Sequence, residues 1–211
     1  MNVRLETEGD FFAVENLTRE AFWNKYKPGC AEHYVLHAFR GDPDFIKELD
    51  FVLEDEAGSS ARIVAHVMFA RARLVREDGA VIPICTFGPI SVDPGLQRKG
   101  YGKALLTHAL ARAEALGYGA TCMTGDIGFY GTCGFVVASS RNVRYADDPE
   151  SDAPYFLLKE LKPGFLNDKL AGMSATFKEP APYFVRDEDV ERFDALFPPR
   201  QKLKLPGQLF S

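Results

Sequence analysis

Apolar positions along the chain change period several times, and each change marks an element. Val3-Arg4-Leu5 reads as a short strand, after which Phe11, Val14, Leu17, Ala21 and Phe22 recur on one side of a helix that Asp10 is placed to cap. Residues 24–49 are less legible, with a helical piece over Glu32 to Phe39 stopped by the Gly41-Asp42-Pro43 turn. Phe51 to Glu54, Arg62 to Val75 and Val81 to Val92 read as successive strands of an antiparallel meander, with turns at Glu56-Ala57-Gly58-Ser59-Ser60 and Glu77-Asp78-Gly79. From Lys103 the helical period returns through Leu105, Leu106, Ala109, Leu110, Ala113 and Leu116, about four turns, until Gly117 and Gly119 supply a stop. Thr121 to Thr124 then reads as a short strand, Ile127 to Gly131 as a short helix, and Phe135 to Ser139 and Phe156 to Leu161 as further strands. The order of elements predicts a mixed α/β (α+β) fold.

Two places break the pattern. The strand Val81 to Val92 carries Gly88-Pro89 in its middle, where proline has no N–H to donate and glycine packs nothing, so regular pairing is expected to lapse there. In the tail from Lys162, Ala175-Thr176-Phe177 reads as a strand, and Asp187 opens a helix in which Val190, Phe193 and Phe197 share a face before Pro198-Pro199 ends it. That apolar stripe needs a cover, either the same domain or a dimer contact. Residues 200–211 predict no clear element.

With 211 residues and a formal net charge of −5, the chain is expected to be one soluble globular domain, or one domain at 1–162 with an extension at 163–211. The basic residues form no stripe, which argues against nucleic acid, and no apolar window is long enough to span a membrane. Glu6 and Glu8 follow directly on Met1 to Leu5, so no signal peptide is visible and a cytoplasmic location is expected. Cys30, Cys85, Cys122 and Cys133 are scattered, without a C-x-x-C pair or histidines at zinc spacing, and read as buried thiols rather than as metal ligands or disulfides.

The candidate chemistry sits in Phe87 to Gly102, where an apolar strand runs into a glycine-rich, basic turn that opens a helix. The first N–H groups of a helix lack partners inside it. With the positive end of the helix dipole they make the Gly100–Gly102 turn an anion site, and glycines let phosphate oxygens approach the backbone. Arg98, Lys99 and Lys103 add charge of the right sign. A P-loop would need Lys-Ser or Lys-Thr after Gly95-x-x-x-x-Gly100, where Tyr101-Gly102 stands, and a dinucleotide fingerprint begun at Gly100 would need a glycine where Leu105 stands. Both readings fail.

Gln97-Arg98-Lys99-Gly100-Tyr101-Gly102 resembles the Q/R-x-x-G-x-G/A signature of the GNAT superfamily of acyl-CoA-dependent N-acetyltransferases. The strand end G-P-I-S-V-D-P precedes it, and Phe129-Tyr130-Gly131-Thr132-Cys133-Gly134-Phe135 downstream resembles the family's Y-x-x-x-G-F element. With Gly125-Asp126 before that element, the chain is most similar to the bacterial predicted N-acetyltransferases, over roughly residues 2–162 and most specifically over Phe87 to Phe135. The resemblance implies the GNAT fold, a mixed and mostly antiparallel sheet flanked by helices and splayed into a V-shaped cleft. It also implies acetyl-CoA as co-substrate, with backbone groups of Ile90, Ser91 and Val92 pairing with the pantetheine arm. Gln97, Arg98, Lys99, Gly100, Tyr101, Gly102 and Lys103 would surround the pyrophosphate, with Phe129 also at the cofactor. No metal is implied.

Acetyl transfer from a thioester to an amine needs a deprotonated amine, a donor facing the developing oxyanion and a proton for the departing thiolate. By resemblance Tyr130 is the general acid, since a phenol of ordinary pKa about 10 is protonated at neutral pH. Its alternative reading is a tyrosine packed on the pantetheine or under the sheet. A backbone N–H near Ile90 or Ser91 would face the oxyanion; Ser91 itself is a poor nucleophile candidate, lacking a histidine motif. The strand Val81 to Val92 carries no glutamate for a base, which leaves Asp126, His66, Glu32, His33 or a chain of waters, and aspartate after glycine, as at Asp126, is more often a helix cap. The expected activity is direct transfer to a primary amine in a ternary complex, with a non-catalytic acyl-CoA-binding or sensory module as the alternative. A small-molecule amine or a peptide is the expected acceptor, and the chain is expected to be a monomer or homodimer.

Overall fold

The computed structural model describes residues 1–55 and 61–209, so the turn expected at Glu56 to Ser60 lies outside the described residues. In chain order the elements are β1 (Asn2–Leu5), α1 (Phe11–Phe22), α2 (Glu32–Arg40), β2 (Phe51–Asp55), β3 (Arg62–Arg76), β4 (Val81–Val92), α3 (Tyr101–Ala115), β5 (Ala120–Thr124), α4 (Ile127–Tyr130), β6 (Val136–Val137), β7 (Val143–Tyr145), β8 (Phe156–Glu160), α5 (Phe165–Leu170), β9 (Ala175–Phe177) and α6 (Asp187–Asp194). They make a mixed α/β fold around a mostly antiparallel open sheet. Two compact units divide the chain: one comprises Met1–Met68, Pro89–Leu106 and the segment from Ala181, the other Phe69–Gly88 and Thr107–Pro180.

In the first unit β1 pairs antiparallel with β2, and β2 with the first half of β3, placing Phe51 opposite Val67 and Val52 opposite His66. Helix α1 buries Val14, Leu17 and Thr18 at helical spacing and packs on α2, which buries Val35, Leu36 and Phe39. Asp10 does not cap α1. Its carboxylate accepts from Thr7 N at 2.9 Å and Thr7 Oγ1 at 2.7 Å and pairs with Arg4 at 2.6 Å, which closes the preceding turn instead. The apolar stripe of the tail is covered inside this unit. Phe193 of α6 lies 4.4 Å from His37 and 5.4 Å from Tyr34, and Phe197 stacks on Phe12 at 5.1 Å. Asp194 ties the same helix to Arg19, a fully buried side chain, at 2.6 Å.

In the second unit β8 lies antiparallel between β5 and β6, and β5 runs parallel to β4 through Cys85 and Thr86. Those two residues come just before Gly88, which takes a φ of 135° within a strand that runs unbroken from Val81 to Val92. Strand β9 pairs antiparallel with the end of β3 at Leu74 to Arg76, and β7 joins it in parallel. Leu74, Ile84, Cys122, Phe156, Leu158 and Phe177 form the core, with Leu166 and Leu170 of α5 packed in.

Several boundaries differ from expectation. Helix α3 begins at Tyr101 rather than Lys103, and Leu116 lies beyond its end and is exposed. The strand expected over Phe135 to Ser139 is only Val136–Val137, because the chain coils into a 3-10 turn at Ala138–Arg141. Strand β7 and helix α5 carry too few residues for any periodicity to register.

Candidate active site

The turn from β4 into α3 is shaped for an anion. Asp93 starts it, its side chain accepting from Gly95 N at 2.8 Å and pairing with Arg62 at 2.9 Å, while its own N–H donates to Val64 O at 2.8 Å. Gln97 Nε2 reaches back to Val92 O at 3.2 Å, and Lys99 Nζ caps Gly95 O at 2.9 Å. Arg98 at φ 62° and Gly100 at φ 92° both take left-handed backbone, which winds the chain tightly into the helix. Among the described residues the first amide of α3 with a backbone acceptor is Ala104 N, on Gly100 O at 2.9 Å. The N–H groups before it lie at the positive end of a 15-residue helix, where a helix has no backbone acceptors of its own for them. A Cβ at Gly100 would meet nothing, so the glycine is needed for its backbone angle and not for room. Arg98, Lys99 and Lys103 are exposed around this turn, and Tyr101 Oη donates to Asp55 at 3.3 Å. The structure therefore brings Gln97 through Lys103 together.

Just upstream, Ile90 and Val92 are half-buried and Ser91 is buried. The Ser91 hydroxyl sits 3.0 Å from Thr18 Oγ1 of α1, so the side chain is engaged by the helix and only its backbone is left for a ligand. Thr18 was not legible as a partner, because the two positions are 73 residues apart.

In the second unit, α4 carries Tyr130. Asp126 caps this short helix, accepting from Gly128 N at 2.9 Å, as one of its two sequence readings requires, and it is exposed. Phe129 and Ile127 present exposed apolar surface, while Tyr130 turns inward among Phe87 at 5.9 Å, Phe135 at 5.7 Å and Phe129 at 4.8 Å. Asp126, Phe129 and Tyr130 thus stand on one turn. Gly125 leaves the space that the Tyr130 ring occupies: a Cβ there would lie 2.5 Å from Cε2.

The other base candidates are engaged elsewhere. His66 is fully buried, 2.7 Å from Asp50 Oδ1, and burial pushes its pKa down to about 4. His33 is buried too, with its pKa pushed down to about 4 by burial, and its Nε2 lies 3.2 Å from Asp194 outside hydrogen-bonding geometry. Glu32 folds back on Ala31 N at 2.9 Å, and burial raises its pKa. Glu6, Asp50 and His66 offer ligand atoms within 4.8 Å of one another, a spacing that suits a metal ion. Arg40 already grips Glu6 at 2.7 Å and 3.0 Å, and Asp50 Oδ1 lies 2.7 Å from His66 Nε2, while His66 Nδ1 is buried without a hydrogen-bond partner among the described residues, so the group reads as an internal polar network. A groove of 690 Å³ beside α1 is lined by Asp10, Glu20, Glu54 and Asp93, of which Asp10 and Glu54 share Arg4 and Asp93 pairs with Arg62.

Comparison with known proteins agrees with this geometry. Residues 50–137 match the family model described as an acetyltransferase (GNAT) domain. The GNAT family N-acetyltransferase YhbS from Escherichia coli, solved in complex with CoA, superposes with a TM-score of 0.71 at 22% identity, over 86% of this chain and 91% of that one. A GNAT family acetyltransferase from Brucella melitensis, solved with acetyl-CoA, gives 0.64 at 20% identity, over 87% and 97%. The ribosomal-protein-S18-alanine N-acetyltransferase from Escherichia coli gives 0.51 at 18% identity, over 76% and 94%. No curated protein matches the sequence. Residues 50–137 therefore match a GNAT acetyltransferase domain, the chain has the fold of solved GNAT family acetyltransferases, and the two together support an acyltransferase enzyme. No helix among the described residues is long and apolar enough to cross a membrane.

Proposed function

We propose that the protein is an acetyl-CoA-dependent N-acetyltransferase that moves the acetyl group from coenzyme A to a primary amine by direct transfer in a ternary complex. The observation that carries this reading is the turn at Gln97 to Lys103, with left-handed backbone at Arg98 and Gly100 leading into the start of α3. Such a turn suits a pyrophosphate, and the two structures superposing with TM-scores of 0.71 and 0.64 were solved with CoA and acetyl-CoA.

The roles follow from the chemistry. Backbone groups of Ile90, Ser91 and Val92 are assigned to the pantetheine arm, with one N–H there for the developing oxyanion, and Phe129 is assigned to the cofactor. The neutral amine nitrogen attacks the thioester carbon, the C–N bond forms as the C–S bond breaks, Tyr130 gives its phenolic proton to the departing thiolate, and solvent takes the proton that nitrogen sheds and restores that of Tyr130. The N-acetyltransferase domain is assigned to residues 1–162, with 163–211 as an extension supplying α5, β9 and α6. The acceptor is a small amine or a peptide; the S18-alanine enzyme, whose fold this chain shares, favours including peptides. Free cysteines at 30, 85, 122 and 133 suit a reducing cytoplasm.

The test is release of free CoA thiol from acetyl-CoA over a panel of amines and peptides. Tyr130→Phe should lower turnover about 10²-fold while acetyl-CoA affinity stays within about twofold. An unchanged rate would return Tyr130 to a packing role, and thiol release with no amine in the panel would favour a binding module.

A further inference from the structure

The proposed reaction lacks a group to deprotonate the incoming ammonium, and the second unit holds one outside the family motifs. Glu179 follows β9 by two residues. Its Oε1 accepts from the Tyr145 hydroxyl at 2.8 Å, and its Oε2 is buried with no hydrogen-bond partner among the described residues. A buried acceptor left open costs stability unless something else uses it.

Contacts link this carboxylate to the turn that carries Tyr130. Tyr145 meets Tyr155 edge-on at 6.0 Å and Phe156 at 5.2 Å. The carbonyl of Tyr155 accepts from Gly125 N at 2.8 Å, and Gly125 is the glycine against which the Tyr130 ring packs. Thr124, the last residue of β5, pairs with Phe156. Glu179 thus belongs to an aromatic and acidic rim at the C-terminal end of β5, with Tyr145, Tyr155 and Asp148, whose Oδ2 takes the Tyr155 hydroxyl at 2.9 Å. Aromatic faces beside carboxylates attract a cation.

We propose that this rim receives the acceptor amine as a cation and that Glu179 Oε2 takes its proton. The inference rests on the acetyltransferase reading above. An aliphatic ammonium gives one proton to Glu179, leaving the neutral amine to form the C–N bond. The nitrogen sheds a second proton to solvent as the C–S bond breaks, Tyr130 protonates the sulfur, and solvent removes the proton held by Glu179 and restores that of Tyr130. The groups facing Glu179 are the Tyr145 phenol from β7, Asp147 and Tyr155 from the loop between β7 and β8, and the Cys122 thiol of β5. Burial raises the pKa of Glu179, Tyr145 lowers it by donating to the charged form, and Asp147 raises it. A carboxylate moved toward neutral is better matched to an ammonium than an ordinary one.

The test measures thiol release between pH 6 and 10 with putrescine and with an alanine-initiated hexapeptide, alongside acetyl-CoA binding by calorimetry. Glu179→Gln should keep acetyl-CoA affinity within about twofold, lose about 10²-fold in turnover at pH 7, and recover part of it as pH rises and free amine accumulates. Tyr145→Phe, which keeps the carboxylate and the ring, should move the acidic limb of the rate profile to higher pH, because it removes the hydrogen bond that stabilises the charged form. Unchanged rates and limbs in both variants would overturn the proposal. So would a wild-type protein that binds acetyl-CoA yet acetylates neither probe. A wild type that binds no acetyl-CoA would instead overturn the reading on which the proposal rests.

Discussion

Gly125 and Tyr130 are in closer contact than any other residue at position 125 would allow, since a Cβ there would come within 2.5 Å of the Tyr130 ring and 2.9 Å of Met123 Cε. The methionine end can swing away, but the ring is held among Phe87, Phe129 and Phe135. Gly125→Ala should therefore displace the ring and cost about 1–3 kcal/mol, as overpacked sites do. We expect a lowered midpoint in urea and at least a tenfold loss in thiol release, with acetyl-CoA binding retained. Wild-type stability and turnover would show that Tyr130 has more freedom than its contacts describe.

Asp194 holds the buried guanidinium of Arg19, which also lies over Trp23 at 4.3 Å. Asp194→Ala leaves that charge without its partner and should cost about 3–5 kcal/mol in urea unfolding. The double replacement Arg19→Met/Asp194→Leu should recover most of the loss, because it removes the need for compensation. Equal losses in both proteins would assign the cost to packing of α6 rather than to charge.

Glu6, Asp50 and His66 give stability a defined pH dependence. Burial pushes the Glu6 carboxyl up to about 8, with its hydrogen bond to Asp50 adding to the rise, and burial pushes Asp50 up to about 6. His66 is pushed down to about 4, so its contribution is lost only as pH falls below its ordinary 6.5. A raised carboxyl stabilises the fold fully below its unfolded value, and that stability is lost as pH rises through its folded value. Between pH 6.5 and 8, Glu6 is the one of the three still titrating, and stability should fall across that window. Urea unfolding at pH 6.5 and 8.5 should show the fall in wild type and a smaller one in Glu6→Gln. Parallel curves would remove Glu6 as its source.

How much of this was legible in the sequence follows from the range of each interaction. Helix α3 and strands β2 to β4 were readable because their apolar period runs over many residues, and the turn at Gln97 to Gly102 because its chemistry is local. Helix α5 and strand β7 were too short for a period, and Asp10 offered two partners, Thr7 and Arg4, that outcompeted the helix start. Thr18 with Ser91, Arg19 with Asp194, and Tyr145 with Glu179 are pairings made by folding across long separations, invisible to spacing. Asp126 carried two readings, and the structure displays its cap.

The central claim is that the turn at Gln97 to Lys103 holds the pyrophosphate of acetyl-CoA. Isothermal titration of the wild type and of Gly100→Asp/Gly102→Asp tests it most directly. The double variant adds two negative charges at the helix start and puts a side chain on left-handed backbone at position 100. The account predicts saturable acetyl-CoA binding by the wild type and none measurable by the variant at matched circular dichroism. Undiminished binding by the variant, or no binding by the wild type, would contradict it.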